Sequence, residues 1–147
     1  MKDATNYILS EFFRVLNGAI TYESVPVKVF AIEQDEADTD NLFVRLYAAY
    51  TTEFNTKTSF GSKVYINLEV VNRLTGGERT EYKVNDVANS ISELILPAPS
   101  TTALADNADF QLVNVKSGGP STNFNERSNT ALIVRKIITF EVIVNQL

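Results

Sequence analysis

The stretch EQDEADTD at 33–40 is the densest set of potential ligands in the chain. Asp35, Glu36, Asp38 and Asp40 could offer hard oxygen donors to a divalent cation. A calcium loop of the EF-hand kind needs glycine at its sixth position and glutamate at its twelfth. Counting from Glu36, those places hold Asn41 and Tyr47, so the stretch reads as a solvated loop. Paired carboxylates for acid–base work are the next candidates: Glu69 with Glu141, or Glu23 with Glu33. Nothing in their spacing brings either pair together. Thr58, Ser59 and Ser62 have no histidine to activate them, because the chain contains none. Lys57 or Lys63 as a substitute base would need burial that a loop rarely gives. Cysteine is absent too, which removes thiolate chemistry, disulfides and thiolate metal sites. A phosphate-cradling loop needs Lys followed by Ser or Thr at the mouth of a helix. GGERTEY offers neither, so Gly76-Gly77 reads as a turn, and SGGPS at 117–121 reads the same way. The chain is read as non-enzymatic, without cofactor or metal.

Adhesion is a different kind of chemistry, and here the sequence offers more. Phe54, Phe60 and Phe124 stand in polar surroundings, with Lys57, Lys63 and Arg127 close by. An aromatic ring in a polar loop either folds back on its own domain or anchors another protein. These six residues are the candidate subunit or partner interface. They suit an assembly subunit better than an enzyme.

The elements that would carry them follow from periodicity. Within 5–20, Ile8, Leu9, Phe12, Phe13, Leu16 and Ile20 recur at helical steps, with Asp3 or Thr5 as a cap and Asn17-Gly18 as the stop. VPVKVFAI (25–32) reads as a strand that Pro26 confines to an edge or to late pairing. LFVRLYAAYTT (42–52) and VYINLEVVNRL (64–74) alternate, with Val64, Ile66, Leu68 and Val70 facing a core and Tyr65, Asn67 and Glu69 facing out. Residues 54–63 form a polar connection between them. NDVANSISELIL (85–96) is a second helix, capped by Asn85 or Asp86 and stopped by Pro97. PAPSTTALADNAD (97–109) reads as a linker, FQLVNV (110–115) as a short strand and 117–129 as a flexible loop. The two loops at 97–109 and 117–129 are long enough to be either mobile or ordered by partners. The last segment, 131–147, is a long closing strand whose edge is free to pair with a neighbour.

The order α-β-β-β-α-β-β predicts a single α+β domain over 1–147, a mainly antiparallel sheet with two helices on one face. A chain of 147 residues with 44% hydrophobic content can bury one core. The net charge of −5 argues against sequence-independent binding to nucleic acid. The start, MKDATNYILSEFF, lacks the unbroken apolar region of a signal peptide, and no apolar run is long enough to span a membrane. Synthesis and assembly in a cytoplasm are therefore expected.

With these elements in place, the chain resembles the tailed-phage tail-terminator and head–tail joining proteins. The likeness rests on the N-terminal amphipathic helix, the Pro-Val strand VPVKVFAI, the LFVRLYAAY run and the long KVYINLEVVNR strand. The VNDVANSISELIL helix and the closing strand complete it, and it covers nearly the whole chain. The resemblance implies a virion protein of the phage neck: a connector or tail-terminator ring of six or twelve identical subunits. It would meet portal, adaptor or tail-tube proteins, with DNA only as passing cargo, and would assemble in the bacterial host cytoplasm. The loops at 97–109 and 117–129 exceed those of shorter family members and could reach neighbouring rings. The alternative is a monomeric binding or adaptor module of a surface or assembly complex. A carboxylate-based metal hydrolase is the enzymatic alternative, dependent on Asp35–Asp40.

Overall fold

The structure is a computed structural model that describes residues 1–74, 81–127 and 131–147. The turn read at Gly76-Gly77 and the last residues of the 117–129 loop lie outside the described residues.

Helix α1 (Thr5–Leu16) buries Ile8, Phe12 and Leu16. Ala4 occupies its capping position, and Asp3 supports the first turn from one residue further out. The Asp3 carboxylate accepts from the Thr5 hydroxyl at 2.6 Å and the Thr5 N–H at 2.8 Å, which holds its pKa below the usual value. After the helix, Gly18 takes the left-handed φ of 77° that lets the chain turn away. Two short antiparallel strands follow, β1 (Thr21–Tyr22) and β2 (Val25–Pro26). The single strand expected over 25–32 is thereby split. Pro26 has no N–H for a ladder, Val27 turns into the core, and β3 is only Lys28–Ala31.

Three long strands make the framework: β4 (Leu42–Glu53), β5 (Gly61–Leu74) and β8 (Leu132–Gln146). Between β5 and β8 in sequence come α2 (Tyr82–Ile95), β6 (Phe110–Ser117) and β7 (Thr122–Arg127). The sheet order is β3-β4-β5-β8-β6, with β7 beside β6 along the same edge of β8. All pairings within this sheet are antiparallel except β3 with β4, which is parallel.

Both helices lie on one face of the sheet. Phe12 of α1 meets Phe140 of β8 with ring centroids 5.6 Å apart, and Val84, Val87, Ala88, Ile91 and Ile95 of α2 are all buried. Helix α2 starts before the expected cap, because Val84 belongs to its buried stripe. Asn85 is thus inside the first turn, and its side-chain oxygen accepts from Lys136 at 3.1 Å instead. Even-numbered residues of β5 and β8 face the helices, so Val64, Ile66, Leu68 and Val70 meet Ile138, Phe140, Val142 and Val144 in one core. The helices are roughly 20 Å long, and the three long strands run roughly 40–50 Å. Strand ends therefore pass beyond the helix layer.

Three expectations are corrected by the tertiary structure. The final strand is interior, bonded to β5 on one side and to β6 and β7 on the other, so it offers no free edge. The region 117–129 contains β7, which register with β8 holds in the sheet from Thr122 to Arg127. The linker 97–109 is fastened to its own chain: Glu11 accepts from the Ala105 N–H at 2.8 Å, Arg14 donates to the Ala103 carbonyl, and Tyr7 donates to the Ala105 carbonyl. Buried Leu104 supplies the apolar reason for that docking.

Candidate functional site

Among the described residues no helix covers the second face of the sheet, which carries the odd-numbered residues of β5 and β8 and of β4 up to Tyr47. The bulge between Ala48 and Tyr50 then brings Tyr50 onto the same face. At its centre is Glu69, only 3% exposed. Its carboxylate takes Arg135 Nη1 at 2.6 Å on one oxygen and Arg45 Nη1 at 2.7 Å on the other. The two arginines come from the strands that flank β5, so the register itself builds the triad. Arg45 also donates from Nε to the Ile32 carbonyl at 2.7 Å, which ties the end of β3 to the network. Further along, the Tyr65 hydroxyl donates to Glu141 at 3.0 Å, and Lys116 of β6 lies 3.6 Å from the same carboxylate. That hydrogen bond raises the Tyr65 pKa above the usual phenol value. Tyr47 is raised as well, first by burial and then by the nearby Glu69 charge. Tyr50 stacks on Tyr65 at 4.2 Å, and Phe43 lies beneath the Arg73 guanidinium at 5.2 Å.

This geometry does not make an acid–base pair of Glu69 and Glu141. Glu69 is opposite Ile137 and Glu141 opposite Tyr65, so four residues of register separate them on β8. Glu69 is paired with two arginines, and Glu141 has Lys116 beside it. Glu23 sits in the β1–β2 turn and Glu33 beyond the end of β3, where they line separate hollows. In the acidic stretch, Lys28 pairs with Asp38 and Asp40, and the Lys28 hydrogen bond holds the Asp38 carboxyl below its usual value.

The six contact candidates fall into two groups. Phe54, Lys57 and Phe60 belong to the β4–β5 turn, with Lys63 just inside β5. Phe54 and Phe60 are 45% and 50% exposed, and Lys63 Nζ lies 4.8 Å from the Phe54 ring. The turn holds its own shape: Thr56 N–H donates to the Ser59 carbonyl, and Gly61 N–H donates to the Asn55 side chain at 3.0 Å. Glycine is required at 61, because a Cβ there would come within 2.4 Å of the Phe54 carbonyl oxygen. Phe124 and Arg127 lie on β7, where Phe124 is half-buried opposite Arg135. Phe124 is level with Arg135, and the turn is level with Asn145 at the far end of β8. The two groups are therefore roughly 30 Å apart along the strands.

One further surface had no sequence signal strong enough to single it out. Between α1 and the β3–β4 edge lies an apolar groove of about 640 Å³, lined by Leu9, Phe13, Ile32, Leu46 and Ala48 among others. Phe13 is 39% exposed and Ile32 67% exposed. Ile32 also has φ of 71°, a left-handed conformation that a β-branched side chain adopts only under strain of about 1–3 kcal/mol. Its N–H donates to the Leu46 carbonyl, which with Arg45 pins that conformation. The available hint was the width of the α1 apolar stripe: Leu9 and Phe13 widen it beyond what one helix face needs.

No protein-family model matches the chain, and no curated protein matches it either. Among solved structures, the chain is similar to one from a structure described as the virion of a native gene transfer agent (GTA) particle. The TM-score is 0.60 at 15% identity, over 97% of this chain and 92% of that one. The two share a fold from end to end. At that identity the likeness concerns architecture, and the residues of the open face, the turn and the groove have to be argued from this structure.

Proposed function

We propose that this chain is a structural virion subunit that forms a homo-oligomeric ring at the head–tail neck, as a connector or tail terminator through which DNA passes. The observation that supports this reading is the end-to-end fold likeness to a chain of a virion particle. It agrees in class with the phage neck family that the element order resembles. A ring subunit needs two different surfaces, because head-to-tail contacts that close on themselves are heterologous. The exposed turn with Phe54, Lys57, Phe60 and Lys63 provides one, as a contact between subunits. Phe124 and Arg127, at the opposite end of the sheet, provide a separate contact for a portal, adaptor or tail-tube protein. The net charge of −5 suits a lumen that passes DNA without retaining it. The proposed site of action is the virion neck, reached by assembly in the host cytoplasm.

Native mass spectrometry at tens of micromolar, followed by negative-stain imaging, tests the ring. The expected result is a closed species of six or twelve copies with a central hole. A chain that stays monomeric at every concentration, and also in the presence of portal and tail fractions, would leave the monomeric binding module as the better reading.

A further inference from the structure

We infer that the β4–β5 turn of one copy seats in the α1/β3–β4 groove of the next copy, so that turn and groove are the two halves of one subunit contact. This inference rests on the ring reading and names the surfaces that make it.

The occupant follows from three observations. First, both surfaces are apolar and exposed within one chain: Phe54 and Phe60 on the turn, Phe13 and Ile32 in the groove. Second, their charges are opposite. Ile32 leads directly into exposed Glu33, Asp35 and Glu36, which line the adjoining hollow, where Arg45 and Arg135 are already paired with Glu69. The turn carries Lys57 and Lys63 against one acid, Glu53. Charged rims of opposite sign steer association and fix register around an apolar centre. Third, a chain cannot satisfy its own groove. Ala48 borders the groove and Phe54 begins the turn, six residues further along the same extended strand, roughly 20 Å away. Among the described residues no strand pairs with the edge of β4 between them, because β3 pairs only with Phe43–Leu46. A bulge between Ala48 and Tyr50 disrupts the regular ladder there and discourages simple edge-to-edge pairing. What the second copy presents to this region is therefore a compact apolar turn.

The strained exposure of Ile32 acquires a purpose in this arrangement. The left-handed backbone turns an isoleucine side chain outward at the lip of the groove. In the free subunit that costs stability, and in the ring the side chain is covered.

The test uses two full-length variants, Phe60→Asp in the turn and Ile32→Asp in the groove. Both residues are at least half exposed, so each variant should keep its fold, checked by circular dichroism and thermal melting. Aspartate also tolerates left-handed backbone, so Ile32→Asp should not lower the melting temperature. Each variant alone should weaken assembly about thirtyfold or more, the loss typical of an interface anchor. Mixed together they should form dimers and stop, because only the intact groove of one variant and the intact turn of the other can meet. Lys57→Glu should weaken the wild-type ring at low salt, and Glu33→Lys in the same chain should restore part of it. Wild-type rings alongside variants that assemble normally would overturn this pairing and leave the ring reading standing. Variants that fail singly and also fail when mixed would overturn it too, assigning the two surfaces to other partners. A wild-type species of two copies only would show reciprocal contacts rather than a propagating one. A wild type that never assembles would overturn both the ring and this contact.

Discussion

Strand β5 has one face under helices and one face without them, and both are dry in the middle. On the covered side, Val64, Ile66, Leu68 and Val70 are fully shielded by α1 and α2. On the open side, Glu69 is 3% exposed and Val71 1%, with no helix among the described residues laid over them. The covered face excludes water with secondary structure, whereas the open face does so with long side chains from neighbouring strands. Arg45 and Arg135 converge on Glu69, Tyr65 reaches Glu141, and Arg73 lies across Phe43. A network of that kind needs every member in place, because a buried charge without its partner is costly. The covered face needs only shape and volume.

The largest effect is expected where the covered face is weakened. Phe12→Ala removes a fully buried ring against Phe140 and should cost about 3–5 kcal/mol in urea denaturation. A loss under about 1 kcal/mol would mean that α1 contributes little to the core. Glu69→Ala is the matching change on the open face. It leaves two partly buried guanidinium groups facing each other and should cost about 3 kcal/mol, read in the same assay. A negligible loss would reduce the open-face network to surface decoration and break the comparison.

A smaller change should have the opposite sign. Ile32→Asn replaces a β-branched residue at φ 71° with one that accepts it, and should stabilise the isolated subunit by about 1 kcal/mol. A lower melting temperature instead would show that Ile32 packs more than its exposure suggests.

The smallest effects are those of pH. Tyr7, whose hydroxyl donates to the Ala105 carbonyl, is pushed up to about 12, first by burial and then by Glu11 and Asp106. Tyr65 on the open face is raised by Glu141. A phenol raised in the folded state adds stability that is complete below its unfolded pKa near 10 and is lost as pH rises through the folded value. Stability should therefore fall between pH 10 and about 12. Tyr7→Phe should flatten that limb more than Tyr65→Phe. Equal flattening would place the two hydroxyls in equivalent surroundings.

Much of this fold could be read from local pattern. Alternation put Val64, Ile66, Leu68 and Val70 on the core face of β5 and Tyr65, Asn67 and Glu69 on the other, and helical spacing placed Ile8, Phe12 and Leu16 in the core, because both signals depend only on backbone periodicity. Boundaries were less legible. Helix α2 begins at Tyr82, ahead of its expected cap, since burial of Val84 outweighed the capping preference of Asn85. The turn bearing Phe54 and Phe60 was recognisable from aromatic residues in a polar run. The groove that we pair with it was not, because Leu9, Phe13, Ile32 and Leu46 come from three separate elements.

The sequence by itself determined the α+β class, the two helices, the three long strands and the absence of histidine and cysteine chemistry. These follow from composition and from periods of two and of 3.6 residues, which a linear chain displays directly. Only the tertiary structure decided the neighbours. It put the last strand inside the sheet, made β3 the one parallel partner, folded 122–127 into β7 and fastened 97–109 to α1. It also brought Arg45 and Arg135 to Glu69, from 24 residues upstream and 66 residues downstream. Register and strand order bring distant residues together, and no local pattern encodes which distant segment will supply the partner.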